Sequence, residues 1–255
     1  MKRLTIQLRG VDFLEFKIMT YNIHHGMGID KRLDLYRIAE VIDNSNADII
    51  GLNEVDKLFS KRSDYEDQVD WLAKQLKMES AFGPSLSLKS DKSTTERQYG
   101  NALLSRYSIV NQKNHLFNFM PGLIEGRSML ETTIRIKDKL VQVYVTHLSL
   151  NPLLHRRQTD FIIKRYQNNS HPMILMGDCN MRPRSTAWNK ITNELQDVWR
   201  VVGDGNGYTY PSLQPRFRLD YIFVSPKIRV IAADIVTKIP KASDHLPLKA
   251  ILSFN

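Results

Sequence analysis

The chain has 255 residues, 42% of them hydrophobic and 25% charged, ordinary values for a soluble globular protein with a sizeable core. Its single cysteine, Cys179, excludes an internal disulfide framework and any multi-cysteine zinc site and fits a cytoplasmic location; no run approaches the ~20 continuous apolar residues that span a bilayer. The 36 basic and 27 acidic side chains leave a net charge of +9, which favours anionic partners: phosphate esters, nucleic acid or acidic lipid surfaces.

The N-terminus begins basic but is broken by Gln7, Arg9, Asp12 and Glu15, so it is a poor signal peptide. Residues 1–15 read as an extension to a single domain that takes up the rest of residues 1–255. A strand is predicted at Phe16–Asn22, a helix around Asp34–Asp43, a strand over "ADIIGLNEV" and an amphipathic helix near Asp67–Lys77. Lys89–Gly100, rich in Ser, Thr and charge, reads as a loop. Strands follow at Asn101–Leu104, Ile109–Phe117, Ser128–Ile136 and Leu140–His147, the last two joined by a tight turn at Asp138-Lys139. A helix around Leu153–Tyr166 leads to the short buried strand Met173–Met176, then helical pieces to Arg200 and a Gly- and Pro-rich loop over Gly203–Arg218. "RLDYIFVS", "IRVIAADIVT" and "LPLKAILSF" close the chain as strands. Interspersed helices with many adjacent strands imply a mixed α/β architecture, two sheets packed face to face with helices outside.

One signature recurs along these strands: an apolar run ending in a residue that can bind metal or handle protons. Asn22, Asn53, Glu54, His147, Asp178 and Asn180 all sit at strand ends, Asp220 opens a strand, and Asp244 and His245 stand just before the last one. Because side chains alternate along a strand, Asp178 and Asn180 should share one face while Cys179 turns away as a small core hydrophobe. Carboxylates with neutral amide oxygens suit a hard divalent cation, Mg²⁺ or Mn²⁺, with Glu54 as the first ligand. Separate histidines could carry protons or stabilise a phosphate as its charge grows, and an Asp aimed at a His favours its protonated form. The inventory fits metal-assisted attack of water on a phosphate ester. Of the neighbours His24 and His25, diverging side chains would leave only His24 near such a site.

The blocks "TYNIHHG", "LNEV", "YGNALLSR", "THL", "GDCN", "LDYIFVS" and "SDHLPL", in this order, closely resemble the endonuclease/exonuclease/phosphatase superfamily, which includes deoxyribonuclease I, over nearly the whole chain from Lys17. The resemblance implies an α/β fold of the deoxyribonuclease I type, a four-layer α/β/β/α sandwich, and a divalent-metal-dependent phosphoesterase. It implies Glu54, Asn22 and Asp244 at the metal, Asp178 activating or orienting the attacking water, and Asn180 holding the phosphate or that water. His245 would contact the phosphate with Asp220 orienting it, and His147 would be an acid for the leaving oxygen. Two departures are Asn53, where Gln is common, and Cys179, where a larger apolar residue is usual.

Arg97 and Arg182 flank these blocks and are expected to bind substrate phosphate, with Tyr99 and Asn101 facing the cleft. A small or lipid-type phosphoester is the expected substrate of a monomeric enzyme. A nuclease acting on DNA or RNA is the alternative supported by the charge, and an inactive binding module is a third. A membrane-lipid role would draw on the apolar stretch His115–Gly126.

Overall fold

A computed structural model of the protein describes residues 14–90, 93–119 and 126–254. Most of the expected N-terminal extension and residues 120–125 of the His115–Gly126 stretch lie outside them. The first half runs β1 (Glu15–Asn22), α1 (Leu35–Ser45), β2 (Ile49–Lys57), α2 (Gln68–Leu76), β3 (Glu79–Ser90) and β4 (Ser93–Ser105). The middle holds β5 (Ser108–Leu116), β6 (Ser128–Ile136), β7 (Lys139–Thr146), α3 (Pro152–Gln167) and β8 (Met173–Asp178). Then come α4 (Thr186–Thr192), β9 (Gln196–Asp197), α5 (Val198–Val202), β10 (Asp220–Val224), β11 (Ile228–Ile235) and β12 (Leu248–Phe254).

The strands make two six-stranded mixed sheets, ordered β11-β12-β1-β2-β4-β3 and β5-β6-β7-β8-β10-β9. Between them lies a core built by alternate residues of both, among them Ile18, Val145, Met176 and Ile222. The other face of the first sheet packs on α1 and α2 through Ile38, Ile42, Leu52 and Leu72. The other face of the second packs on α3 and α4 through Tyr144, Ile162, Leu175 and Ile191. This is the expected four-layer α/β/β/α sandwich.

Local signals set the helix ends. Asp34 and Asp67 cap α1 and α2 by accepting from Arg37 N and Asp70 N, and Asn46 and Lys77 close them in the left-handed conformation. The turn between β6 and β7 is one residue earlier than expected, with Lys137 at φ +54°.

The described residues of the region expected as a loop at Lys89–Gly100 instead belong to the long antiparallel pair of β3 and β4. Gly83 and Pro84 interrupt the β3 sequence, and a bulge between Pro84 and Leu86 lets the strand continue past them. Phe117 is buried against Phe119 and Phe161, whereas Leu116 before it is 52% exposed, so the described start of the apolar stretch is core only at Phe117. Among the described residues no helix is long and apolar enough to cross a membrane.

Candidate active site

Strand polarity gathers the site. β1 runs parallel to β2 and β7 parallel to β8, so their C-terminal ends open on one edge of the sandwich, where α/β sheets place ligands. The first sheet brings Asn22, Asn53 and Glu54, and the segment entering β12 brings Asp244 and His245. The second sheet brings His147 just past β7, Asp178 and Asn180 at the end of β8, and Asp220, paired in register with Asp178.

Several turns are strained into shape. Glu54 has φ +58° in the bulge between Leu52 and Val55, and Asn180 has φ +46°, both left-handed and both carrying side chains into the site. Asn180 leaves the strand there, tied by its N–H to Asp178 Oδ1 at 3.1 Å. Asp178 and Asn180 therefore do face one way with Cys179 buried behind them, but a left-handed turn rather than strand alternation arranges it. Gly177 is required: at φ +143° an added Cβ would meet Thr146 O at 1.8 Å.

The Asn22 amide nitrogen donates to Glu54 Oε1 and to Asp178 Oδ2, each at 3.1 Å. His245 Nδ1 lies 2.8 Å from Asp220 Oδ2, and its Nε2 lies 3.7 Å from Asp178 Oδ2. The face of His245 is covered by Tyr210, ring centroids 4.8 Å apart. Burial opposes a charge on His245, but the Asp220 carboxylate and its hydrogen bond override this and raise its pKa to about 10. The pKa of Asp178 is raised too: burial lifts it to about 7 against the attraction of His245. His147 Nε2 stands 3.1 Å from Asn180 Nδ2 and 3.4 Å from Asp178 Oδ2. Burial, then the charges of Arg127 and His245, hold His147 well below the usual imidazole pKa, so it is neutral and its contact with Asp178 is not an ion pair.

Beneath the site lies a buried amide relay. Asn53 Oδ1 accepts the N–H of Asp178 at 2.8 Å, while its Nδ2 donates to Asn101 Oδ1 and Thr146 O at 2.8 and 2.9 Å. Asn101, expected to face the cleft, is buried and donates to Ser128 O at 3.0 Å, so both ends of its amide are engaged one layer below.

Tyr99 is largely buried beneath the Arg62 guanidinium, which is 5.3 Å from its ring centre, and burial and Glu54 raise its hydroxyl pKa. Arg97 lies two residues before it on β4, opposite Leu88, half-buried. Arg182 is exposed and stacks over Phe217 at 5.0 Å. Asp244 is part-exposed, its Oδ1 4.0 Å from His24 Nδ1.

The donor set suits a hard cation. Glu54 is half-buried with Asn22 beside it, and His24, His25 and Glu54 can bring ligand atoms within 4.8 Å of one another. Both histidines reach this point, contrary to the expectation that only His24 would, because each sits at positive φ in a tight turn where strand alternation does not apply. Asp178, Asp220 and His245 form a second such group, and Asp220 Oδ1 is buried with no partner. His245 already shares a proton with Asp220, so the carboxylate with an open approach is Glu54.

Two residues take their importance from their place in space. The charge of Arg127 acts on His147, and Tyr210, from the Gly- and Pro-rich loop, covers the ring of His245.

A model of the Endonuclease/Exonuclease/phosphatase family matches residues 19–245. The uncharacterized protein YbhP of Escherichia coli (strain K12) is 25% identical over 251 residues, 92% of this chain and 95% of that protein. A crystal structure of an endonuclease/exonuclease/phosphatase from Beutenbergia cavernae superposes with a TM-score of 0.81 at 25% identity, over 94% of this chain and 72% of that one. A mannosyl-6-phosphatase of Bacteroides thetaiotaomicron superposes with a TM-score of 0.74 at 18% identity, over 94% of this chain and 100% of that one.

Proposed function

The chain belongs to the Endonuclease/Exonuclease/phosphatase family, and from that premise we propose that it hydrolyses a phosphoric ester with water at the site of Asp178 and His245. The observation that carries this reading is the geometry of two buried neighbours, Asp178 Oδ2 standing 3.7 Å from His245 Nε2 while His245 Nδ1 lies 2.8 Å from Asp220 Oδ2. Asp178 has a pKa of about 7 and His245 of about 10. A carboxylate poised near neutrality is a general base; an imidazolium held charged by Asp220 meets the negative charge that grows on a phosphate under attack.

In this mechanism Asp178 takes a proton from the attacking water, which Asn180 and neutral His147 orient. The water oxygen forms the new P–O bond as the ester P–O bond breaks. His245 supports the phosphate oxygens, and its proton is available to the departing oxygen. His147 is a less suitable acid than the resemblance implied, because burial keeps it neutral. Glu54, with Asn22 and Asp244, would hold Mg²⁺ or Mn²⁺. That cation supplies Lewis-acid polarisation of the phosphate and charge neutralisation.

The test is hydrolysis of bis-p-nitrophenyl phosphate and p-nitrophenyl phosphate with Mg²⁺, Mn²⁺ or EDTA, beside His245→Ala and Glu54→Gln. Turnover that needs metal and falls at least a hundredfold in both variants supports the reading. Full activity in either variant removes its site assignment. A nuclease is the second reading, supported by the net charge of +9. Plasmid DNA and RNA in the same panel, with a steep fall of activity as salt rises, would favour it.

A further inference from the structure

A groove of about 790 Å³ opens between α3 and α4 and begins at Asn180, so it is continuous with the site just described. That volume is within the range of small-ligand pockets. We propose that this groove receives one ester limb of the substrate, and that the limb is apolar, an alkyl chain or a ring; the inference rests on the phosphoesterase reading.

The chemistry of the floor decides between an apolar and a polar limb. Pro152, Met181 and Ala187 line the groove, with Leu150 at its lip. The buried polar atoms among them are already engaged. His155 Nε2 lies 2.8 Å from Cys179 O, Thr159 Oγ1 donates to His155 O at 2.9 Å, and Asn180 Nδ2 donates to Leu148 O at 3.0 Å. Against that floor a polar limb would shed water and meet atoms already engaged, whereas an apolar limb loses nothing by leaving water; the remaining uncharged polar lining, Ser185 and Thr186, is part-exposed or exposed and keeps its water.

The lip is consistent. Leu150, which lines the groove, is 73% exposed, a large apolar side chain where nothing in the fold requires one. Lys190 pairs with Asp160, which cancels their charges within the groove. Arg156 and Arg182 make no ion pair among the described residues and stand on the solvent side, where they suit the phosphate rather than the limb.

The test uses phosphonates with a single limb, so that only one group can enter. The n-alkylphosphonates from methyl to octyl are titrated into the full chain with Mg²⁺. Dissociation constants come from thermal shift and calorimetry, and inhibition constants from bis-p-nitrophenyl phosphate hydrolysis. Binding should tighten about threefold per methylene until the groove is filled. An ω-carboxyalkyl phosphonate of equal length should bind more weakly than the alkyl one. Ala187→Trp, which fills the groove, should flatten the dependence on chain length. Leu150→Asp, at an exposed position that leaves folding intact, should reduce it. Methylphosphonate binding with no chain-length dependence, or tighter binding of the carboxylate, overturns the proposal. Failure of every phosphonate to bind together with absent hydrolysis is a different result, and removes the phosphoesterase reading itself.

Discussion

The side chain of Asn53 crosses from one sheet to the other and accepts the backbone N–H of Asp178 at 2.8 Å. It thereby fixes the end of β8 from the end of β2, through an amide with no solvent exposure. Asn53→Ala leaves that N–H and two further partners unsatisfied, at a cost of about 1–3 kcal/mol. We expect a matching fall in denaturation midpoint and at least a tenfold loss of kcat, because Asp178, the proposed general base, is displaced. Wild-type kcat in a destabilised variant would show that Asn53 serves the fold alone.

The His245–Asp220 pair fixes the alkaline side of the pH profile. With His245 raised to about 10, the imidazolium persists through neutrality and is lost only as pH rises through that value. Asp220→Asn removes the main charge that sustains it, so the alkaline limb of kcat/KM moves to lower pH. A limb that stays in place would mean that another group carries the proton.

Asp178 makes a stability prediction of definite sign. Its pKa in the folded chain is about 7, above the ~3.9 of an unfolded carboxyl, so the folded state binds the extra proton and stability falls as pH rises from about 4 to about 7. Asp178→Asn escapes that loss. In EDTA the variant should match the parent near pH 4 and exceed it by up to about 4 kcal/mol above pH 7, while hydrolysing nothing. Urea denaturation across that range measures it. Equal stability at pH 8 would mean that the carboxylate is compensated in the folded protein.

Arg127, like Arg97, is part-buried and pairs with no carboxylate among the described residues. Arg218, Arg62 and Arg165 each grip a carboxylate, Asp197, Asp56 and Glu131. The Nε of Arg127 has no partner. A free guanidinium beside His147 suits a phosphate oxygen, and Arg127→Gln should lower kcat/KM by about ten- to a hundredfold, the worth of one charge-assisted hydrogen bond. NMR titration should also show the His147 pKa rising in the variant, since a positive neighbour is gone.

Much of the architecture was legible because strands and helices with a buried face carry their period in the sequence. Met173–Met176 is an unbroken apolar run and became the buried core of β8. The antiparallel pair of β3 and β4 was not legible: its strands carry Gly83, Pro84 and a polar stretch that match turn chemistry better than sheet chemistry. Within the site, Asn22, Glu54, Asp178 and His245 were legible because each ends or precedes an apolar run. Arg127 and Tyr210 were not, because their importance comes from what they lie against in space. His24 and His25 do not obey the alternation of a strand, because they lie in a tight turn with both residues at positive φ.

Asn22 and Glu54 hang from one sheet, and His147, Asp178 and Asp220 from the other. Neither half could function alone, so turnover works as a gauge of alignment between two plates. Core side chains such as Ile18, Val145 and Met176, which set the spacing of those plates, would register in an activity screen as though they were catalytic. Heating should silence the enzyme before it unravels, when the plates first slip and each still holds its own strands.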